Sequence, residues 1–300
     1  MIRDYLASKP QGTQFKRGIE VSAHYSFQMG VNNRNQAKNT RASWQQNNHN
    51  VNCLELLPAT IAAYYEKFFK SPDIDLAVLP NYSFVLQFTF TLAQPYISRD
   101  EQDFYIIDNP ARKDKIFGLP YVASTSWKGS LRAALWQLGH REQDERIRRL
   151  FGNAKDAEDQ ESFRAGRLYF YPTFFTHKSL EIINPQDRRL RSGKDPILFE
   201  SVPKDTPGVF TLLYVPFDII GENEQETRTE VAGDLQLVAT GLQAMFRTYG
   251  FGAKTSSGFG LAREDASGTL TIRADYPLKS VDSFTRLVEA AQGLRSVLLG

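Results

Sequence analysis

The chain has 300 residues, enough for one large domain or two modest ones. Its 41% hydrophobic and 12% aromatic content supplies a real core and excludes a disordered chain, while a net charge of +2 requires any basic surface to be local. A single cysteine, Cys53, excludes an internal disulfide, and MIRDYLASKPQG lacks the apolar stretch of a signal peptide, so a cytoplasmic protein with no membrane partner is expected.

In chain order, residues 31–52 read VNNRNQAKNTRASWQQNNHNVN, too polar to bury much surface and expected to form a long loop. A short helix is expected over 59–69, then a linker, SPDIDLAVLPN. Composition changes near residue 80, which divides an N-terminal extension (1–80) from the main domain (81–300). SFVLQFTFTL alternates, with Phe84, Leu86, Phe88, Phe90 and Leu92 on one face, and predicts a half-buried strand. Residues 126–138 predict a helix with Leu131, Ala134, Leu135 and Leu138 on its apolar side and Gly139 as its stop. GRLYFYPTFF and GVFTLLYVPF predict a second and a third strand. The long polar and basic stretch over 176–205 reads as an insertion. A second long helix carries the stripe Val231, Leu235, Val238, Leu242, Met245 and ends at Gly250. GFGLARE and GTLTIRADY then predict two strands joined by a turn at Asp265, Ala266, Ser267 and Gly268. A last helix is expected over 282–299, presenting Phe284, Leu287, Val288 and Leu294. Strand, helix, strand, strand, helix, strand is the order of an α+β, ferredoxin-like (RRM-like) fold, which by itself fixes no function.

TYGFGAKTSSGFG, from Thr248 to Gly260, raises the question of a phosphate. A P-loop needs Gly-x-x-x-x-Gly-Lys-Ser/Thr, but Ala253 precedes Lys254 and the loop leaves a helix rather than opening one. The dinucleotide pattern fails at Thr255. A C-cap glycine and a bulge explain Gly250 and Gly252. They leave Lys254, Thr255, Ser256, Ser257 and Gly258 unexplained, and glycines with a lysine and hydroxyls suit a phosphodiester backbone.

A second constellation is LPYVASTSWKGSLRAAL. Ser124, Thr125 and Ser126 precede or open a helix, with Ser126 or a neighbour as N-cap, and Lys128 and Arg132 stand four residues apart. Such a start is suited to an anion, although a plain capped amphipathic helix reads the same way.

Together these stretches resemble the RAMP superfamily, the repeat-associated subunits of CRISPR effector complexes. PYVASTSWKGSLR is similar to its lysine-helix signature and YGFGAKTSSGFG to its glycine-rich loop. Leu150-Phe151-Gly152 and Phe199-Glu200-Ser201-Val202-Pro203 resemble two of its shorter motifs. Ala123-Ser124 and Trp127 depart from the pattern, and Trp127 either fills a pocket or stacks on a base. The resemblance implies binding of CRISPR guide RNA by Ser124, Thr125, Ser126, Trp127, Lys128, Arg132, Gly250, Gly252, Lys254, Thr255, Ser256, Ser257 and Gly258. Arg188 and Arg189, in INPQDRRLRSGKD, join them as phosphate contacts. Target RNA and other RAMP subunits are the implied partners.

YIIDNPARKDKIFGLPY further resembles the segment of type III backbone subunits whose aspartate cuts target RNA. That residue here is Asp108, with Pro110, Lys113 and Asp114 matching beside it. The implied activity is an endoribonuclease acting within the complex, with Mg2+ or another divalent ion as cofactor and none tightly bound. A non-catalytic capping subunit and a stand-alone phosphate-binding enzyme remain the alternatives. His24, His49, His140 and His177 show no metal-binding spacing.

Overall fold

The computed structural model describes residues 39, 54–55, 69, 71–100, 109–115, 117–153, 164–183, 186–187, 192–193, 197–273, 276 and 279–300. Asp108, Arg188, Arg189 and Cys53 lie outside them, as do the helix expected over 59–69, save Phe69, and the Asn/Gln-rich segment, save Asn39. In chain order the principal elements begin with β1 (Phe84–Leu92), β2 (Tyr121–Val122), α1 (Ser124–Gln137) and α2 (Glu145–Phe151). Next come β3 (Leu168–Phe170), β4 (Thr173–Phe174), β5 (His177–Ile183), β6 (Ile197–Ser201) and β7 (Pro207–Tyr214). The chain closes with α3 (Glu224–Ala244), β8 (Ala262–Ile272), β9 (Lys279–Ser283) and α4 (Phe284–Leu299).

The alternation in β1 does what its period requires. Phe84, Leu86, Phe88, Phe90 and Leu92 are buried, and β7 and β8 pair antiparallel on its two sides. Phe88 lies opposite Phe210 and Gly268, and Leu86 opposite Leu212 and Leu270, so three strands present one continuous apolar face. The full sheet order is β9-β8-β1-β7-β3. Without the edge strand β9, the strands of the β1-α1-β3-β7-α3-β8 unit run fourth, first, third, second. That is the ferredoxin-like arrangement expected from element order.

The helices cover the apolar face. α3 buries Val231, Leu235, Val238 and Leu242, and Met245 follows them into the core. α1 meets α3 at Gly241, where a Cβ would come within 2.8 Å of the Leu135 side chain and 2.9 Å of Leu131. α4 lies beside α3 and buries Phe284, Leu287 and Leu294, with Val288 half-buried against the core. At the centre is an aromatic cluster. Trp127 packs at ring-centroid distances of 4.5 Å from Phe251, 5.1 Å from Phe210 and 5.4 Å from Phe246.

Four local expectations are corrected. Ala262–Ile272 is one strand, not two, because β1 and β9 both pair across Gly268 and a bulge absorbs the irregularity after Ala262. GRLYFYPTFF splits at Pro172: β3 joins the main sheet, whereas β4 pairs with β2. α1 starts earlier than expected, its N-cap is Ala123, and no side chain caps it. Leu138 is the C-cap and is 40% exposed, so it is not part of the apolar stripe. The expected insertion contains an antiparallel hairpin, β5 with β6, in register from Ser179–Ser201 to Ile183–Ile197. Among the described residues, no helix is long and apolar enough to cross a membrane.

Candidate nucleic-acid interface

α1 has two useful faces. Trp127, Leu131, Ala134 and Leu135 enter the core. Ser126, Gly129, Ser130 and Ala133, at i, i+3, i+4 and i+7, form a strip of small side chains beside them. That strip forms one wall of a cleft of about 880 Å³.

The facing wall is the glycine loop, and its position follows from how α3 ends. The last turn widens into a π-turn over Met245–Tyr249, and the Gly250 N–H donates to the Met245 carbonyl at 2.8 Å. Gly250, Gly252, Gly258 and Gly260 all take positive φ, between 70° and 87°. The loop is stitched to the chain after β1: Gly260 N–H donates to Pro95 O and Ala253 N–H to Ile97 O, both at 2.8 Å. At Gly252 a Cβ would meet Ile97 O at 2.6 Å and the Tyr96 ring at 2.5 Å, so a glycine is required for this approach. Lys254 also adopts the left-handed conformation, φ 59°, and opens a short 3-10 turn over Thr255–Ser257.

The structure brings together only some of the residues singled out in the sequence. Ser126, Gly250, Gly252, Thr255 and Ser256 line the cleft. Ser124, Thr125, Ser257 and Gly258 lie beside it rather than in its lining. Lys128 and Arg132 fall on the far side of α1, since successive residues turn by about 100°. Arg132 pairs with Glu142 at 2.5 Å and stacks over Trp136 at 4.8 Å. Burial, and after it the neighbouring Arg132, lowers the Lys128 pKa. The Lys254 ammonium lies 5.0 Å from the centre of the Phe199 ring, and Phe199 bridges Asn109 through its backbone. Lys254 therefore stands on the side of the loop where the segment after Asp108 passes.

Trp127 needs a correction: it is fully buried, and its indole N–H donates to Thr173 Oγ1 at 3.1 Å. Of the two roles open to it, it fills the core and offers no face to a base.

The cations of the cleft lining are Arg99 and Arg112, both exposed and both missed in the sequence. Arg112 is held by Tyr121: its Nε donates to the phenol oxygen at 2.9 Å, and its guanidinium lies 5.3 Å from the ring centre. The backbone N–H of Arg112 donates to Ser98 Oγ at 2.8 Å. No local pattern marks these arginines, because two loops bring them together. The small-residue strip of α1 was readable from its helical spacing.

Behind Arg112, the stretch 109–113 is anchored to β6. Glu200 is buried and accepts the Ala111 N–H at 3.1 Å and the Lys113 ammonium at 2.6 Å. Among the described residues, no group of three or more His, Cys, Asp or Glu side chains is gathered to hold a metal ion. His140 pairs with Asp144 at 3.2 Å, and His177 Nδ1 lies 2.9 Å from Thr176 Oγ1.

The chain is 26% identical over 187 residues to the CRISPR system Cms endoribonuclease Csm3 of Streptococcus thermophilus, a match covering 59% of this chain and 83% of that protein. Among solved structures, a type III-B Cmr-beta complex bound to cognate target RNA contains a chain with TM-score 0.44 and 16% identity, covering 75% of this chain and 67% of that one. A Csm3-Csm4 subcomplex of a type III-A CRISPR-Cas interference complex gives TM-score 0.42 and 14% identity, covering 71% and 96%. The family model of the RAMP superfamily matches residues 90–263, more than half of the chain. The chain belongs to the RAMP superfamily.

Proposed function

We propose that the chain is a guide-RNA-binding subunit of a type III CRISPR ribonucleoprotein. Membership of the RAMP superfamily and the similarity to Csm3 support this reading. The observation that carries it is the cleft: a wall of small residues on α1 faces exposed backbone of the glycine loop, with Arg99 and Arg112 in its lining. Small walls admit a sugar-phosphate backbone closely, and arginines and hydroxyls contact it without reading bases. Base pairing by the guide then supplies sequence specificity, as in other RNA-guided effectors. The open face of the sheet is a poorer site. On β1 and β7 it presents Val85, Gln87, Thr89, Val209 and Thr211, with Phe69, Tyr171 and Phe174 beside them but no lysine or arginine in that lining to meet a phosphate.

We further propose that Asp108 cuts the paired target RNA. Its carboxylate takes the proton of a ribose 2′-OH, and the 2′-oxygen attacks the adjacent phosphorus. The P–O5′ bond breaks and the 5′-oxygen takes a proton from water, leaving a 2′,3′-cyclic phosphate and a 5′-OH. Mg2+ or another divalent ion, bound with the RNA, would supply further stabilisation of the charge that develops at the phosphate. The partners are guide RNA, target RNA and other RAMP subunits.

The test of binding is Arg99→Ala with Arg112→Ala in the full chain. Affinity should fall alike for unrelated RNA sequences, and the slope of log K against log salt should shrink by about 0.7 per lost contact. Unchanged affinity and slope would exclude the cleft. The test of cleavage is Asp108→Ala in a reconstituted complex. Loss of cutting with target binding retained supports the catalytic reading, and unchanged cutting selects the architectural subunit. A chain that binds nucleotide but no RNA would instead be a stand-alone enzyme.

A further inference from the structure

We infer that Glu200 is a positioning residue for cleavage: it latches the segment that follows Asp108 onto the β5–β6 hairpin. This inference rests on the catalytic reading of Asp108 proposed above. Glu200 lies in Phe199-Glu200-Ser201-Val202-Pro203 and is 1% exposed. A carboxylate is rarely buried without partners, because its desolvation must be offset by charge and hydrogen bonds. Here the partners are specific. Oε2 accepts the Ala111 N–H at 3.1 Å and the Lys113 ammonium at 2.6 Å. Oε1 takes the Lys178 ammonium of β5 at 3.1 Å. The Glu200 backbone N–H donates to the Asn109 carbonyl at 3.0 Å.

One residue thus grips the chain at positions 109, 111 and 113. Between the last two, Arg112 turns to the other side and lines the RNA cleft. The same short segment therefore carries a cleft cation on one side and the latch on the other. Asp108 is the residue immediately before the grip. The catalytic reading of Asp108 needs the backbone that follows it to be held, and Glu200 holds that backbone from Asn109 onward. In-line attack on a phosphate is sensitive to such placement, since an error of about 1 Å in a positioned group can cost about 100-fold in rate.

The experiment uses a reconstituted complex holding guide and target RNA, with single-turnover cutting and RNA affinity measured on the same preparations. Glu200→Gln keeps the shape and an acceptor for Ala111 but removes the charge facing Lys113 and Lys178. Cutting should slow by about 100-fold, while affinities for guide and target stay within about twofold and the melting temperature accounts for none of the loss. Lys113→Met, which removes the facing ammonium, should also slow cutting, and combining it with Glu200→Gln should add little further loss, as coupling in a double-mutant cycle. Where Glu200→Gln does not assemble, Lys178→Met removes one arm of the latch from a less buried position and should slow cutting with assembly intact. Wild-type cutting by Glu200→Gln or, failing its assembly, by Lys178→Met, in a complex that Asp108→Ala inactivates, overturns the inference. So does a loss that only follows weaker RNA binding. Wild-type cutting by Asp108→Ala is a distinct result, because it removes the catalytic reading itself.

Discussion

Trp127 and Lys254 show how much a residue's role depends on what packs behind it. Both stand in motifs that resemble RNA-binding signatures, yet one is inside the aromatic core and the other is exposed beside Phe199. Trp127→Phe removes the donor to Thr173 and some ring volume; it should cost about 2 kcal/mol of stability, read by denaturant titration, and leave RNA affinity of the folded protein unchanged. An ionic network joins α2, the residue before β3, the end of β7 and α3. Asp234, fully buried on α3, takes Arg149 at 2.7 Å and the Tyr214 hydroxyl at 2.8 Å, while Arg167 bridges to Asp218 at 2.6 Å. Burial raises the Asp218 carboxyl, but the guanidiniums of Arg167 and Arg164 more than reverse it and bring it down from 3.8 to about 2. A depressed acid stabilises the fold above its unfolded pKa. That contribution should disappear as pH falls from 3.8 toward 2, and Asp218→Asn should flatten stability against pH in that window. Asp234→Asn leaves two buried guanidiniums short of a countercharge and should cost about 3–5 kcal/mol.

Elements were legible where a single period governed them. β1 alternates because one side is core, and α3 carries its stripe because it lies flat on the sheet. β8 was not legible as one strand because Asp265, Ala266, Ser267 and Gly268 have turn chemistry, whereas pairing on both edges overrides it. Gly268 is needed there for closeness rather than for turning: a Cβ would lie 2.0 Å from Gln87 O. The glycine loop was legible as a phosphate-backbone candidate, but its true companions were not. Arg99 and Arg112 come from segments whose approach is set by the clasp between residues 95–97 and the loop. α1 offers a prediction that separates stability from function. Gly129 lines the cleft, has no conformational need for glycine, and a Cβ added there would meet no neighbouring group within 4 Å. Gly129→Ala should therefore stabilise the helix by up to about 1 kcal/mol, and Gly129→Leu, which projects into the cleft, should weaken RNA binding in a filter or anisotropy assay without unfolding the protein.

At the scale of the whole molecule, a ferredoxin-like sheet offers RNA two routes: across its open face, or along the cleft between α1 and the glycine loop. The open face of β1 and β7 carries short polar and aliphatic side chains, and the Gln87 amide there donates to the Pro72 carbonyl at 3.3 Å. The cleft has the small walls, bare backbone and arginines that a phosphodiester chain requires. With a net charge of only +2, the protein has no general attraction for RNA, so the proposed binding would depend on this local arrangement. The most direct measurement is photo-crosslinking of a guide RNA carrying 4-thiouridine to the full chain, followed by peptide mapping. Crosslinks are predicted in peptides from α1 around Ser126–Ser130 and from the loop around Thr248–Ser256. Crosslinks confined to peptides bearing Gln87, Thr89 and Thr211 would contradict the account.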